Sequence, residues 1–181
     1  MFTHFGVTGP IILSLSRKAA ECLAAGKYVE LEINLKPALT PEKLDARIQR
    51  DFDKYIRKSL KNGLVDLLPH KMIEPLLDYA FLDPDRPVNQ VTAAERHRLV
   101  EVLQHLILIV TKTRPLSEAI VTAGGVSVRE INPKTMESKL VPGLYFAGEV
   151  TDVDAYTGGY NLQAAFSMGN AAGCWSVWND D

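Results

Sequence analysis

Apolar residues in the first two thirds of the chain recur mostly with the 3.6-residue period of an amphipathic helix. Pro10 suits a helix start and Gly26 a helix end, whereas Thr40 and Thr92 have the hydroxyl that caps a helix N-terminus. The helices that this pattern predicts span residues 10–25, 41–56, 60–68, 71–81 and 93–103. Two segments differ: residues 28–35 alternate apolar and polar positions, and residues 106–111 are rich in β-branched residues, so both are predicted as strands that could pair.

The last third of the chain has a different pattern, with short apolar runs that end at glycines. Residues 118–122 lead into Gly124-Gly125-Val126, and residues 144–147 lead into Gly148-Glu149. These two runs and residues 127–131 are predicted as short strands. The chain is therefore predicted to be α+β, with a helix-rich lobe over residues 1–113 and a small mixed α/β lobe over residues 114–181.

The stretch with the most chemical information is residues 140–173, where Gly158 and Gly159 directly precede a segment of small and apolar residues with helical periodicity. Glycines there let a ligand approach the backbone, and the free N–H groups of a helix start favour an anionic or electron-rich group. An isolated glycine pair is more often only a turn. Its place after a strand, a Gly-acid pair and a polar loop favours an acceptor site for a flat or phosphorylated ligand.

Composition and charge exclude several classes of function. Twenty Lys plus Arg balance twenty-two Asp plus Glu, so the sequence predicts neither a nucleic-acid partner nor an anionic membrane surface. The basic residues of helix 41–56 are predicted to form a solvated face. No segment resembles a membrane span or a signal peptide, and Cys22 and Cys174 are predicted to be small buried thiols in a reducing cytoplasm. The four histidines lack the spacing of metal ligands, so no metal site is predicted.

Four motifs in order resemble the BaiN-like, or aminoacetone-oxidase-like, bacterial flavoproteins, which are NAD(P)- and FAD-dependent oxidoreductases. The motifs are residues 3–10 (THFGVTGP), 122–126 (TAGGV), 135–139 (TMESK) and 158–163 (GGYNLQ). In that family a Rossmann unit with a GxGxxG loop comes first, a barrel and helical insertion follows, and a C-terminal segment completes the flavin site. This sequence contains no GxGxxG after a strand. The resemblance therefore assigns residues 1–113 to the later part of the insertion and residues 114–181 to the returning segment.

The resemblance implies FAD as cofactor, a small-molecule substrate, and a set of residues on the isoalloxazine and ribityl side of the flavin. The implied cofactor-binding residues are Gly124, Gly125, Val126, Gly148, Glu149, Gly158, Gly159, Tyr160, Asn161 and Leu162. Asp152 and Asp154 match polar loop positions, and Ala155 stands where the family's pattern has glycine. His4 could act as an acid or base or pack beside Phe5, so no catalytic residue is assigned.

Two functions from different classes follow. The chain is either the C-terminal portion of an FAD-dependent oxidoreductase, inactive or weakly FAD-binding alone, or a non-enzymatic module that self-associates or pairs with a separate Rossmann chain through an exposed lobe surface. A flavin-free enzyme that binds nucleotide phosphates at the helix start is a third reading, but no P-loop Lys accompanies the glycines.

Overall fold

The computed structural model describes residues 1–177 of the chain and divides it into two compact units. Unit 1 combines residues 1–29 with residues from 110 onward, and unit 2 spans residues 30–109. In chain order the elements are β1 (Phe2–Thr3), β2 (Gly6–Val7), α1 (Pro10–Ala24), β3 (Glu30–Ile33), α2 (Pro41–Lys54), α3 (Leu60–Gly63), α4 (His70–Tyr79), α5 (Ala93–Gln104), β4 (Leu106–Ile109) and α6 (Tyr160–Val177). The helix-rich α+β class predicted from the sequence is confirmed.

Unit 2 has a hydrophobic core built by its helices. The apolar stripe of α2 consists of Leu44, Ile48 and Phe52, which are at most 5% exposed, and Leu77 and Leu103 from α4 and α5 are fully buried in the same cluster. The caps form as the sequence predicts: the Thr40 hydroxyl accepts from the Lys43 N–H, and Thr92 closes a capping box with Glu95. Satisfied helix ends and one shared apolar cluster account for the compactness of this unit.

The two predicted strands at the ends of unit 2 pair with each other. β3 and β4 run antiparallel, with Glu30 opposite Ile109 and Ile33 opposite Leu106. The chain therefore enters and leaves unit 2 through one two-stranded ladder. The predicted boundary near residue 113 lies close to the exit of this ladder, whereas the crossing at residues 29–30 was not predicted. The assignment of the segments to the family's insertion and returning segment stays a prediction.

Unit 1 has little interior of its own. Helices α1 and α6 have no buried residue, so the predicted burial of Cys22 and Cys174 is wrong. The buried residues among the described part of the unit are Ile131, Met136 and Thr151. Ile11 of α1 and Phe166 of α6 are 76% and 70% exposed. An amphipathic helix gains most of its stability by burying its apolar face, so these two helices present surface that a further partner could cover.

The strands predicted in the last third of the chain are wrong. Residues 116–118, 128–130 and 148–150 form short 3₁₀ turns. Pairing in this region consists of isolated bridges that join residue 126 to 151, residue 131 to 138 and residue 137 to 145. An apolar run becomes a strand only when a neighbour supplies a ladder of hydrogen bonds, and the described part of unit 1 offers single bridges instead. The predicted helix at 60–68 is limited to α3, and residues 64–68 form turns and a bend. No helix within residues 1–177 is both long and apolar enough to cross a bilayer.

Candidate functional site

The turn at residues 124–126 joins the segment that follows Gly148. The Val126 N–H donates to the Val150 carbonyl at 2.9 Å, and the Asp152 N–H donates to the Val126 carbonyl at 2.9 Å, which forms a parallel bridge between Val126 and Thr151. Two motifs that lie more than twenty residues apart in sequence therefore share one backbone junction. Their apposition is the first piece of the site.

Gly125 is at this junction for a steric reason. Its φ is +148°, and a Cβ there would lie 2.4 Å from the Val150 carbonyl oxygen and 2.9 Å from the Thr151 carbonyl carbon. Both neighbours are backbone atoms, so no side-chain movement could relieve the overlap. The neighbouring Gly124 differs, because a Cβ there would meet nothing within 4 Å. The absence of a Cβ at Gly125 thus permits the close backbone approach at the junction, whereas the backbone at Gly124 is open to a ligand.

The carboxylate of Glu149 also connects the segment after Gly148 to the segment before Gly124. Its Oε1 accepts hydrogen bonds from the Thr122 N–H and the Thr122 hydroxyl, both at 2.7 Å. These two bonds, with the backbone N–H as the larger cause, lower the pKa of Glu149 below its ordinary value. Among residues 1–177, Oε2 accepts no hydrogen bond, so one oxygen of an ionised carboxylate is left to face an external donor such as a hydroxyl group.

A buried hydroxyl links this junction to α6. Thr151 is 1% exposed, and its Oγ1 donates to the Gly148 carbonyl at 2.8 Å with the Met168 Sδ 3.4 Å away. A Cβ built on Gly148 would lie 3.9 Å from the Ala165 Cβ, an ordinary packing distance. The segment 148–151 is therefore seated on the middle of α6, and the loop that follows must return to the helix start.

That return is fixed by Asn161. Its side-chain Oδ1 accepts from the Ala155 N–H at 2.7 Å, and its Nδ2 donates to the Ala155 carbonyl at 2.9 Å. Asp154, next to Ala155, pairs with Arg17 of α1. The Asn161 amide is consequently occupied by the loop, and the contribution of this residue to a ligand would come from its backbone N–H rather than from its side chain.

The start of α6 is open. Gly159 has a φ of +90°, a Cβ there would meet nothing within 4 Å, and its carbonyl accepts the first helical bond from the Gln163 N–H at 3.0 Å. The N–H groups of residues 160–162 precede that bond and lack an acceptor within the helix. Tyr160 and Leu162 are 64% and 63% exposed. The helix start therefore presents free donors, a positive dipole end and apolar side chains on one surface.

The ten residues that the sequence indicated form two groups within unit 1. Gly148, Glu149 and the turn 124–126 meet at the junction, and residues 158–162 connect to it through α6 and the loop at Ala155. Sequence reasoning missed the roles of Thr122, Thr151 and Arg17. The glycine pattern signals the neighbourhood of the first two. Nothing in the sequence signals that Arg17 pairs with Asp154, which lies 137 positions away.

His4 lies outside this network. It occupies the turn between β1 and β2, and its ring packs edge-to-face on Phe5 with the centroids 5.0 Å apart. The Arg114 guanidinium lies over the Phe5 ring, 4.4 Å from its centroid. The packing reading of His4 is the one these contacts favour. Within residues 1–177 no group of three or more His, Cys, Asp and Glu side chains is placed to hold a metal ion.

The donor set fits a flat ligand with hydroxyl groups and an electron-rich edge. Gly124 and Gly159 leave open backbone, the α6 start supplies N–H donors, and Glu149 supplies an acceptor oxygen. A flavin ring with its ribityl chain has the matching groups: ring carbonyl and nitrogen acceptors for the donors, and hydroxyls for the carboxylate. Within unit 1, these residues match the ring and ribityl half of FAD.

Comparison with known proteins finds a matching family model and similar proteins. Residues 1–121 match the family model described as the HI0933-like protein barrel and H2TH domain. Over 94% of its length the chain is 30% identical to a 3-dehydro-bile acid delta(4,6)-reductase of Clostridium scindens, and over 92% it is 35% identical to a ribosomal RNA dihydrouridine synthase of Escherichia coli. A ribosomal RNA dihydrouridine synthase of Haemophilus influenzae is 34% identical over 94% of the chain. The chain spans 42%, 39% and 40% of the lengths of these relatives.

Proposed function

The chain belongs to the HI0933-like, BaiN-like family of flavoproteins, and we propose that it supplies the isoalloxazine and ribityl side of the flavin site of an FAD-dependent oxidoreductase. The observation that carries the proposal is that hydrogen bonds join the segment 122–126 to residues 149–152, while the Asn161 side chain joins the α6 start to the loop at Ala155. Each of these segments was indicated separately by sequence, and each offers a group that a flavin requires.

The residues have distinct tasks in this proposal. Bound FAD would supply the hydride chemistry. The N–H groups at residues 160–162 would donate to the electron-rich edge of the ring, where negative charge is favoured by the helix dipole. The free oxygen of Glu149 would accept from ribityl hydroxyls, and its lowered pKa keeps it ionised at neutral pH. Asn161 and Arg17 hold the loop 152–157 in place and so position the helix start.

The chain alone should bind flavin weakly. A dinucleotide needs a pyrophosphate cradle, and the sequence has no GxGxxG loop that would provide one. We therefore propose that the complete site includes a Rossmann polypeptide, which would also cover the exposed faces of α1 and α6. NADH or NADPH would be the reductant, and the cytoplasm the compartment.

The substrate proposal comes from the relatives. One is named a delta(4,6)-reductase and two are named dihydrouridine synthases, and both names describe the addition of hydrogen to a carbon–carbon double bond. We extend that reaction class to the enzyme of which this chain forms part. The named substrates, a bile acid and ribosomal RNA, differ too much in size for the flavin side of the site to choose between them.

The test is a titration of the isotope-labelled chain, followed by amide chemical shifts. FMN carries the ring, the ribityl chain and one phosphate of FAD, whereas ADP carries the adenosine and both phosphates. We expect millimolar FMN to shift amides within residues 122–126, 148–152 and 155–162, and ADP to leave them in place. Equal shifts with ADP would support a phosphate site instead, and the absence of any FMN shift would refute the flavin proposal. Gly159→Ala should weaken the FMN shifts, and Gly143→Ala, at another glycine with positive φ and open space, is the matched control.

A second candidate, the non-enzymatic module, is favoured by one observation. The apolar residues Ile11, Leu162 and Phe166 on α1 and α6 are between 63% and 76% exposed, which is the surface that self-association would bury. Light scattering discriminates the two: a monomer that responds to FMN supports the flavin site, whereas a stable oligomer without an FMN response supports the module.

A further inference from the structure

The state of the Glu149 carboxylate depends on one residue, Thr122. The Thr122 N–H and the Thr122 hydroxyl both donate to Oε1 of Glu149, each at 2.7 Å, although the two residues lie 27 positions apart. Thr122 is half-buried and lies in irregular backbone, so its N–H has no helix or strand partner. The carboxylate satisfies this backbone donor, and the two donors in turn fix one carboxylate oxygen.

The surroundings of Glu149 offer no cation that could replace Thr122. The segment 148–152 packs on residues 122–126 and on α6, and neither of these contains an Asp, Glu, Lys or Arg residue. Their titratable side chains are those of Tyr160 and Cys174, and the next charged residue along the segment itself is Asp152. The pKa of Glu149 is lowered from its ordinary value of 4.5 by the Thr122 N–H first and by the Thr122 hydroxyl second.

These two hydrogen bonds also orient the carboxylate. A free glutamate side chain populates many rotamers, and ordering it when a ligand binds opposes binding. Here Oε1 is turned to Thr122 before any ligand arrives, and Oε2 accepts no hydrogen bond among residues 1–177. Threonine suits this task because its β-branched side chain has few χ1 rotamers, so the hydroxyl is held in one direction.

We propose that Thr122 is a positioning residue of the flavin site, which holds the Glu149 carboxylate ionised and oriented so that Oε2 accepts a ligand hydroxyl. This inference rests on the proposed function and adds Thr122 to the ten residues expected to bind the cofactor. Thr122 acts through Glu149, because the N–H and the hydroxyl of Thr122 are both engaged by Oε1.

The first measurement follows the ¹³C shift of the Glu149 carboxyl carbon in the full chain as the pH is lowered, without flavin. In the wild type the midpoint should lie below 4.5, and the Thr122 amide proton should titrate with the same midpoint because it bonds the titrating group. Thr122→Val removes the hydroxyl and keeps the N–H, so the pKa of Glu149 should rise toward 4.5. Thr122→Ser keeps both donors and should keep the wild-type pKa.

The second measurement is the FMN titration at pH 7, where Glu149 is ionised in every variant. A weaker response at this pH therefore reports the orientation of the carboxylate and not its charge. Ordering one flexible side chain corresponds to about a 2- to 10-fold loss of affinity, so Thr122→Val should need that much more FMN for equal shifts at residues 148–152. Thr122→Ser should respond as the wild type does.

Two controls separate positioning from a purely structural role. Thr113→Val changes an exposed threonine of unit 1 whose hydroxyl makes no hydrogen bond within residues 1–177, and it should leave both measurements unchanged. The Val126 N–H should stay protected from exchange in every variant, because its bond to the Val150 carbonyl does not involve the Thr122 side chain.

Three results would overturn the role of Thr122: an unchanged pKa of Glu149 in Thr122→Val, an equal loss of FMN response in Thr122→Val and Thr122→Ser, or loss of Val126 protection together with the FMN response. If Thr122→Val does not fold, the wild type still decides, because separate midpoints for the Thr122 amide and the Glu149 carboxyl would exclude the bond. A wild type without any FMN response would refute the flavin site instead, and the flavin-free pH titration distinguishes the two failures.

Discussion

Substituting Gly125 by alanine should disrupt the junction far more than the same change at Gly124. Both glycines have positive φ, +148° and +94°, so both alanine variants incur backbone strain of about 1–3 kcal/mol. Only Gly125 adds a clash, with the Val150 carbonyl oxygen at 2.4 Å and the Thr151 carbonyl carbon at 2.9 Å. Because both contacts are backbone atoms, the junction must open, and overpacking of this kind costs about a further 1–3 kcal/mol.

The assay is urea unfolding followed by tryptophan fluorescence, which reports on unit 1 because both tryptophans of the sequence, Trp175 and Trp178, follow residue 110. We expect the Gly125→Ala variant to be less stable than the Gly124→Ala variant by about 1–3 kcal/mol. Amide exchange gives a second readout: the Val126 N–H, bonded to the Val150 carbonyl, should lose protection in Gly125→Ala and keep it in Gly124→Ala. Equal stability of the two variants, or retained protection at Val126 in both, would show that the junction is not close-packed as described.

Three further predictions concern the Asn161 side chain, the core of unit 2 and the pair formed by His105 and Glu32. Asn161→Ala should speed exchange of the Ala155 N–H, which it holds at 2.7 Å, whereas Asn161→Asp keeps the acceptor oxygen and should retain part of the protection. Leu103→Ala, at a fully buried site, should cost about 2–5 kcal/mol in urea unfolding, and a cost below 1 kcal/mol would contradict its place in the core. The hydrogen bond to Glu32 raises the pKa of His105 above its ordinary value near 6.5, so the stabilisation from this pair is full below that value and is lost as pH rises through the raised pKa. His105→Gln should remove this part of the pH dependence of the melting temperature, and an NMR titration of His105 that reports an unshifted pKa would refute it.

The sequence alone determined the parts of the fold that depend on local signals. The caps at Thr40 and Thr92 and the apolar stripe of α2 form as predicted, since a hydroxyl cap and a 3.6-residue period act within a few residues. The pairing of the strands at 28–35 and 106–111 was left open by the sequence and is realised as β3 and β4. The glycine pattern also indicated the candidate site, which stays a prediction.

Only the tertiary structure decided how those pieces are used. Residues 144–147 read as a strand but form none, because a strand exists only with a neighbour to bond. Gly124 and Gly125 look equivalent in sequence, yet one faces open space and the other the Val150 backbone. The pair formed by Arg17 and Asp154 spans 137 positions, a separation at which residue type carries no information about contact. Local physics set the helices and the chemistry available, and long-range packing determined which groups meet.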